Sequence, residues 1–343
     1  MKKASTFMVE KAAYKGGYVW SYLPDFSRRW GEMEAFPTMI WVQPPGTGTV
    51  GHLFLDAYHA TKDEYYYDAA CKAADALIAI QNPAGGWNYL GDMAGEASLK
   101  TWYDTIGKNG WRLEEFQHYY GNCTFDDEGT AECCKFMLRM YVEKKDPKYK
   151  AAFDKALKFV LESQYPVGGW PQRYPLKDEF HHHGNPDYTS FITFNDDVVG
   201  ENIEFLIMVY QALGDKTVLE PIRRAMDCYV ACQQPAPQAG WGLQHTVADL
   251  EAGQRPHLRA KGLRHPRLGQ LRVAALDLLP ADGRPEVPGP RARGAGLAGL
   301  DPTARRRHAR QAALSDLHPD RHEQTTLCPS HRLERGQRPL LCR

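Results

Sequence analysis

Residues 164–175 read QYPVGGWPQRYP, and a related stretch, QNPAGGW, occupies residues 81–87. In both stretches a glutamine is followed six positions later by a tryptophan, and two glycines come directly before that tryptophan. A third glutamine, Gln233, precedes Trp241 by eight positions. Because spaced anchors that recur along a chain mark a repeated structural unit, these stretches indicate a fold built from copies of one motif.

Each copy has a second anchor upstream of its glutamine. YHATKD at 58–63, YVEKKD at 141–146 and YQALGD at 210–215 each run from a tyrosine to an aspartate, and a glutamine follows each aspartate after eighteen residues. Apolar residues at helical spacing lie on both sides of these segments, as in the stripe formed by Leu219, Ile222, Met226, Tyr229 and Cys232. Each copy is therefore predicted to be an αα-hairpin whose short turn ends at the aspartate, which makes the fold all-α.

The glycine–tryptophan turns allow two interpretations. Glycines suit the turn that ends a helix, and the tryptophan that follows can fold back over that end. In the other interpretation, the indole rings of Trp87 and Trp170 contact a ligand. The residues of the turns do not decide between the two.

Two long insertions separate the hairpins, at residues 88–128 and 171–197. They end alike, with TFDD (124–127) and TFNDD (193–197), just before a predicted helix. In stacked hairpins such insertions gather on one face, which is often the binding face. The acidic residues can act as helix N-caps, but one aspartate suffices for that. A second adjacent carboxylate adds repulsion, which a nearby cation would relieve, so the pattern leaves both capping and cation binding open.

Composition excludes several classes of function. The formal net charge is zero, whereas nucleic-acid binding requires a basic excess. No run of residues reaches the eighteen apolar positions that a membrane span needs. The start, MKKASTFMVEKAAYKGG, has two lysines directly after Met1 but no apolar segment, so no signal peptide is visible. We therefore expect no nucleic-acid partner and no membrane partner, and we expect a monomer.

The C-terminal part differs in composition from the rest of the chain. All 8 Trp, 18 Tyr and 13 Phe residues lie at or before Trp241, and residues 242–343 also lack Ile, Met and Asn. Such a change exceeds ordinary variation between domains. Residues 251–343 are therefore predicted to be either a disordered tail or a segment that did not evolve to fold.

The motifs carry a family resemblance. QYPVGGWPQRYP at 164–175, followed by FITFNDDVVGENIEFL at 191–206, resembles the pectic acid lyases of polysaccharide lyase family 10, over roughly residues 40–250. The earlier TFDDEGTAE at 124–132 is similar to a family segment but departs from it after Asp126, which weakens the assignment of Asp127.

The resemblance implies an (α/α) toroid of helical hairpins over residues 1–250, incomplete at the C-terminus, whose cleft binds polygalacturonate or a related uronan. It also implies Ca²⁺-assisted β-elimination and a location outside the cell or in the periplasm. Ca²⁺ prefers several hard oxygen ligands, so the candidate ligands are Asp126, Asp196 and Asp197. Aromatic rings stack on sugars and arginine pairs with carboxylates, so the candidate substrate contacts are Trp87, Trp170, Arg173 and Tyr174.

Two other classes of function stay open. Gln-x3-Gly-Gly-Trp also resembles the repeats of terpenoid cyclases, which are helical toroids as well, but the chain has no Asp-x-Asp-Asp motif. A carbohydrate-binding protein without catalysis is the other possibility. One observation favours this possibility. The lyase family carries its catalytic base in an Arg-x-Tyr/Phe-Glu-Pro segment, which is expected near residue 256. This chain instead reads EAGQRPHLRAKGLRH at 251–265 and lacks that segment.

A displaced frame would explain the missing segment. Codons for residues 251–265, read one base out of register, can spell P-A-S-A-R-T-Y-E-P-K-A-F-A-T, and residues 268–301 can spell a tyrosine followed five positions later by an aspartate and then an amphipathic helix. The base-bearing motif and a fourth hairpin thus appear in one frame and in the expected order. We therefore predict that residues from about 251 onward are an out-of-frame translation, so that the general base has no assignable residue in this chain.

Overall fold

A computed structural model describes residues 2–110, 116–177, 188–237 and 239–252, all within the compact unit Met1–Gly283. The predictions for the tail, beyond its first two residues, lie outside this described part. The helices of the described residues are α1 (Lys2–Phe7), α2 (Thr47–Thr61), α3 (Glu64–Ala79), α4 (Glu96–Thr105), α5 (Gly129–Lys144), α6 (Pro147–Ser163), α7 (Val198–Leu213) and α8 (Leu219–Ala231).

Six of these helices form the three predicted hairpins, α2–α3, α5–α6 and α7–α8, which confirms the all-α prediction. The aspartates that end the tight turns act as caps. The side chains of Asp63 and Asp146 accept hydrogen bonds from the second backbone N–H of α3 and α6, and Asp215 accepts one from Thr217 at the short 3-10 turn before α8. An N-cap of this kind is worth about 1 kcal/mol, so the repeated aspartate fixes where each second helix begins.

The hairpins pack in sequence, as expected for an (α/α) toroid. The first helices, α2, α5 and α7, lie side by side, and each second helix packs against its own partner. One large core joins all three hairpins through fully buried residues such as Phe136, Phe153 and Phe205. A smaller core around Trp41, Trp102 and Phe116 lies under α4. No helix of the described residues has the length and apolar character needed to cross a bilayer.

In the two Gly-Gly-Trp turns, the glutamine and the first glycine join one hairpin to the next. The Gln164 amide donates hydrogen bonds to the carbonyls of Gly168 (2.9 Å) in its own turn and Pro221 (2.8 Å) at the start of α8. Gly168 has φ +105°, and a Cβ atom there would collide with the carbonyl oxygen of Arg224 in α8. Only glycine combines this dihedral with so close an approach.

The first turn repeats the arrangement. The Gln81 amide donates to Gly85 (2.7 Å) and to Ala152 of α6 (3.1 Å). We call these contacts the glutamine staples. The repeat seen in the sequence is thus a repeat of contacts between neighbouring hairpins.

The tryptophans fold back over the ends of the second helices. The indole N–H groups of Trp87, Trp170 and Trp241 donate to the carbonyls of Leu77, Val160 and Tyr229 at 2.9, 2.8 and 2.7 Å. This confirms the structural interpretation of the glycine–tryptophan turns.

Short strands close one end of the hairpin array. The strands are β1 (Ser21–Tyr22), β2 (Arg29–Trp30), β3 (Glu34–Ala35), β4 (Met39–Trp41), β5 (Leu90–Asp92), β6 (Cys123–Thr124), β7 (Arg173–Tyr174), β8 (Ile192–Thr193) and β9 (Gln244–His245). Antiparallel pairs join β4 to β5, β6 to β7 and β8 to β9. Each pair links the strand that precedes a hairpin to the strand that follows its tryptophan, so the three hairpins present equivalent turns at the same end.

Candidate active site

Three equivalent turns lead from these strands into the first helices of the hairpins. They comprise residues 43–45 (QPP), 126–128 (DDE) and 195–197 (NDD), and we call them the helix-start turns. The second and third lie in contact with each other. Asp127, Glu128, Asp196 and Asp197 adopt left-handed φ angles of 49°, 60°, 50° and 58°. Such backbone is uncommon for residues other than glycine, and clusters of it favour a functional role.

Asp126 lies at the centre of the site. Its side chain is only 2% exposed. One carboxylate oxygen accepts hydrogen bonds from the Tyr89 hydroxyl (2.6 Å) and the Gln172 amide (2.8 Å), and the other accepts one from the Asn195 amide (3.2 Å). Three segments that are distant in sequence thus converge on one carboxylate and hold it in a single orientation.

Asn195 brings a second carboxylate to this group, because its amide also donates to Asp196 at 2.7 Å. The amide oxygens of Asn195 and Gln172 are both buried, and in the part of the chain that the structure describes they have no hydrogen-bond partner. Buried acceptors are rarely left unsatisfied, so each such atom requires an explanation. Carboxylate and amide oxygens are the ligand types that Ca²⁺ prefers, and the two unsatisfied oxygens therefore fit a hard cation beside Asp126.

Asp197 does not join this group. Its carboxylate lies against Gly200 in the first turn of α7, and it accepts a hydrogen bond from the Tyr229 hydroxyl. Burial and then the charge of Asp197 raise the pKa of Tyr229 well above its usual value. The expectation that Asp126, Asp196 and Asp197 form one ligand set is therefore not supported. Among the described residues no three acidic, histidine or cysteine side chains are grouped as a metal site.

Simple N-capping does not account for the acidic turns. The N-cap residues Glu128 of α5 and Asp197 of α7 make no side-chain cap hydrogen bond. Asp127 instead accepts a hydrogen bond from the Gln43 amide at 2.7 Å, which ties the first helix-start turn to the second. Sequence reasoning missed Gln43, because its turn carries prolines where the other two carry acidic residues.

Arg173 lies on β7, opposite Thr124 of β6, and is 2% exposed. Its Nη1 donates to the side-chain oxygens of Asn88 (3.2 Å) and Asn122 (3.4 Å). The guanidinium lies 5.3 Å from the ring centre of Tyr89 and 5.4 Å from that of Tyr120. Its Nε and Nη2 are buried and have no hydrogen-bond partner among the described residues. An unsatisfied buried donor costs about 1–3 kcal/mol, and more when charged, so this arrangement is unfavourable without a further partner.

The other expected substrate contacts lie elsewhere. Trp87 and Trp170 are completely buried, and their rings have no face exposed to a sugar. This corrects the expectation that they line the binding surface, because packing over the helix ends occupies both rings. Tyr174 is half-buried, and its ring packs edge-on against Phe159 at 5.6 Å.

A buried ion pair lies behind the helix-start turns. The Lys135 ammonium of α5 contacts the carboxylates of Glu201 and, at 2.6 Å, Glu204 of α7. Burial lowers the pKa of Lys135, but the charges of Glu201 and Glu204 outweigh it, and the net shift is upward. The pair therefore stays charged and locks the helices that carry the second and third helix-start turns. Sequence reasoning missed it, because partners 66 residues apart leave no local pattern.

Comparison with known proteins supports the resemblance. The model of the pectic acid lyase family matches residues 91–256 of this chain. No curated protein sequence matches the chain significantly.

Among solved structures, the chain is similar to a variant of a family 10 polysaccharide lyase from Cellvibrio cellulosa in complex with trigalacturonic acid. The identity is 20%, with 67% of this chain and 70% of that chain covered and a TM-score of 0.42. It is also similar to cellobiose 2-epimerase from Spirochaeta thermophila DSM 6192, with 12% identity, 83% and 65% coverage and a TM-score of 0.51. The second similarity is one of fold, and it agrees with a toroid of helical hairpins.

Proposed function

We propose that the site around Asp126 binds polygalacturonate or a related uronan for Ca²⁺-assisted β-elimination, since the model of the pectic acid lyase family matches residues 91–256 of this chain. The observation that carries the proposal is the convergence of Tyr89, Gln172 and Asn195 on one buried carboxylate, next to two amide oxygens without partners. The family match and this polar centre favour a lyase over the terpenoid-cyclase alternative.

Asp126 and Asp196 would hold the cation, together with the amide oxygens of Asn195 and Gln172. A bound Ca²⁺ supplies positive charge beside the uronate carboxylate, and this charge favours loss of the poorly acidic C5 proton. Tyr89 fixes the orientation of Asp126, and the left-handed turns bring Asp196 to the same side of the site. Asp197 would support the site indirectly. It contacts Gly200 in the first turn of α7 and accepts a hydrogen bond from the Tyr229 hydroxyl of α8.

We propose further that this chain lacks its general base. The Arg-x-Tyr/Phe-Glu-Pro segment is absent near residue 256, and the family match ends there. With codons chosen freely, a one-base displacement can spell the segment, which supports an out-of-frame origin for residues 251–343. Loss of a general base costs about 10²–10⁴-fold in rate, so the 343-residue chain is expected to bind uronan without measurable cleavage.

Resequencing the DNA at the codons for Leu250–Gln254 tests the frame directly, and one surplus base is expected. The repaired protein should release unsaturated, ultraviolet-absorbing products from polygalacturonate only with Ca²⁺ present. The same repaired protein with Asp126→Asn is the control for the site and should lose activity. Cooperative folding and cleavage by the unrepaired chain would refute the frame proposal.

A second candidate function is uronan binding without catalysis, and the missing base segment favours it. The two candidates differ in one result: a non-catalytic binder retains affinity for oligogalacturonate but stays inactive after frame repair. Because pectate lies outside cells, we propose that the natural protein is exported.

A further inference from the structure

We propose that the Arg173 guanidinium binds one free carboxylate of the substrate through two parallel hydrogen bonds, and we call this pair of donors the fork. The fork would make the site select uronate over its methyl ester. This inference rests on the proposed uronan function and adds a determinant of specificity to it. The evidence is the pattern of hydrogen bonds around the guanidinium.

The two unpartnered nitrogens of Arg173 form one edge of its guanidinium. Nη1 is held by Asn88 and Asn122, whereas Nε and Nη2 have no partner. The N–H bonds of Nε and Nη2 point the same way, and together they match the two oxygens of a carboxylate in a bidentate pair. The structure therefore leaves unsatisfied the donor pair that one carboxylate would satisfy.

Among the described residues, none offers a hydrogen-bond acceptor to this edge of Arg173. Tyr89 and Tyr120 lie within cation–π distance of the guanidinium. The groups that hydrogen-bond to Nη1 are neutral amides, so they do not compensate the positive charge. A charged group buried in this way is stabilised most by an anion at its free edge. Tyr89 is fully buried and Tyr120 only half-buried, so Tyr120 is the ring that can move to admit a ligand.

Tyr89 connects this edge to the centre of the site. Its ring lies beside the Arg173 guanidinium, and its hydroxyl donates to Asp126 at 2.6 Å. A sugar whose carboxylate occupied the Arg173 edge would therefore lie one tyrosine ring from the proposed cation site. The next sugar of the same chain could then reach Asp126.

Methyl esterification would weaken binding at this edge. The ester is neutral, and its carbonyl oxygen is the one good acceptor that it offers to the two donors. Hydrogen bonds to charged groups are strong enough that loss of this pair corresponds to about 10- to 100-fold in affinity. Part of this loss is expected when the paired donors are removed and the positive charge is kept.

Titration calorimetry of the 343-residue chain with trigalacturonate and with its methyl ester tests the proposal, with chelator present so that the cation does not contribute. The chain should bind the acid about 10- to 100-fold more tightly than the ester. Arg173→Lys should prefer the acid less strongly, because its ammonium keeps the charge but not the two parallel donors. The matched control is Arg224→Lys, because Arg224 also has a buried unpartnered Nε but donates through Nη2 to Gln164, and its preference for the acid should stay unchanged.

The outcomes separate this proposal from the proposed function. If Arg173→Lys retains the full preference for the acid, the fork is refuted and uronan binding stands. If the unaltered chain binds acid and ester equally, the fork is refuted without any variant, even when Arg173→Lys fails to fold. If the unaltered chain binds neither ligand, with or without Ca²⁺, the uronan function and the fork both fail.

Discussion

Replacement of Lys135 by methionine isolates the buried ion pair between α5 and α7. The Lys135 side chain is 4% exposed and that of Glu201 is 2% exposed, so neither charge has water as an alternative partner. Methionine preserves the length and apolar stem of lysine but removes the charge. Glu201 would then lose the ammonium that balances its charge in the interior, while Glu204, at 38% exposure, can turn toward water.

Breaking a buried pair by removing one partner costs about 3–5 kcal/mol. For a folded part of this size, each kcal/mol lowers the melting temperature by about 2–4 °C, so a decrease of about 6–20 °C is expected. A loss of this size is a large fraction of the total stability of a typical domain, which is about 5–15 kcal/mol.

Calorimetric melting of the unaltered chain, Lys135→Met and Lys144→Met measures the effect. Lys144 pairs with Glu64 at the surface, where the two side chains are 39% and 61% exposed, so its replacement should cost less than about 1 kcal/mol. The double variant Lys135→Met with Glu201→Met should recover most of the loss, because it removes the buried carboxylate together with its ammonium. Equal melting temperatures for the two single variants would refute the account of Lys135.

Three further predictions concern the site and its supports. Asp126→Asn should lower Ca²⁺ affinity at least about 10-fold by titration calorimetry, since it removes the central charge, whereas Asp197→Asn should lower it less. Chelation should lower the melting temperature of a Ca²⁺-saturated sample, because a cation at 100 times its Kd contributes about 2.7 kcal/mol; an unchanged melt would contradict a cation site. Trp170→Phe should cost about 1–3 kcal/mol by urea unfolding, through its lost hydrogen bond to Val160, yet leave oligogalacturonate affinity unchanged.

The sequence predicted the fold better than the site, for a physical reason. The hairpins could be predicted because their signals involve residues that are close in sequence. These signals are the helix periodicity, the capping aspartates and the glycine–tryptophan turns. The direction of a side chain depends on what packs around it. Asp196 and Asp197 are neighbours in sequence, yet one joins Asp126 through Asn195 and the other turns to Tyr229.

The same limit explains the other differences. Trp87 and Trp170 look equally suited to a core or to a sugar, and only their burial decides. Gln43 belongs to the site because its turn is the structural equivalent of two acidic turns, although it shares no residue type with them. Contacts between distant segments, such as that of Lys135 with Glu201, have no signature in one sequence.

The glutamine staples make each of the first two hairpins depend on the hairpin that follows it in the chain. Gln81 binds a carbonyl 71 residues further along the chain, and Gln164 binds one 57 residues further. A ribosome releases the amino terminus first, so the first two hairpins each leave the exit tunnel before the carbonyl that their glutamine binds has been synthesised. A premature stop or a lesion in one hairpin would therefore leave the preceding hairpin without the carbonyl that its glutamine binds. The loss of stability would therefore extend toward the amino terminus, which is opposite to the order of synthesis.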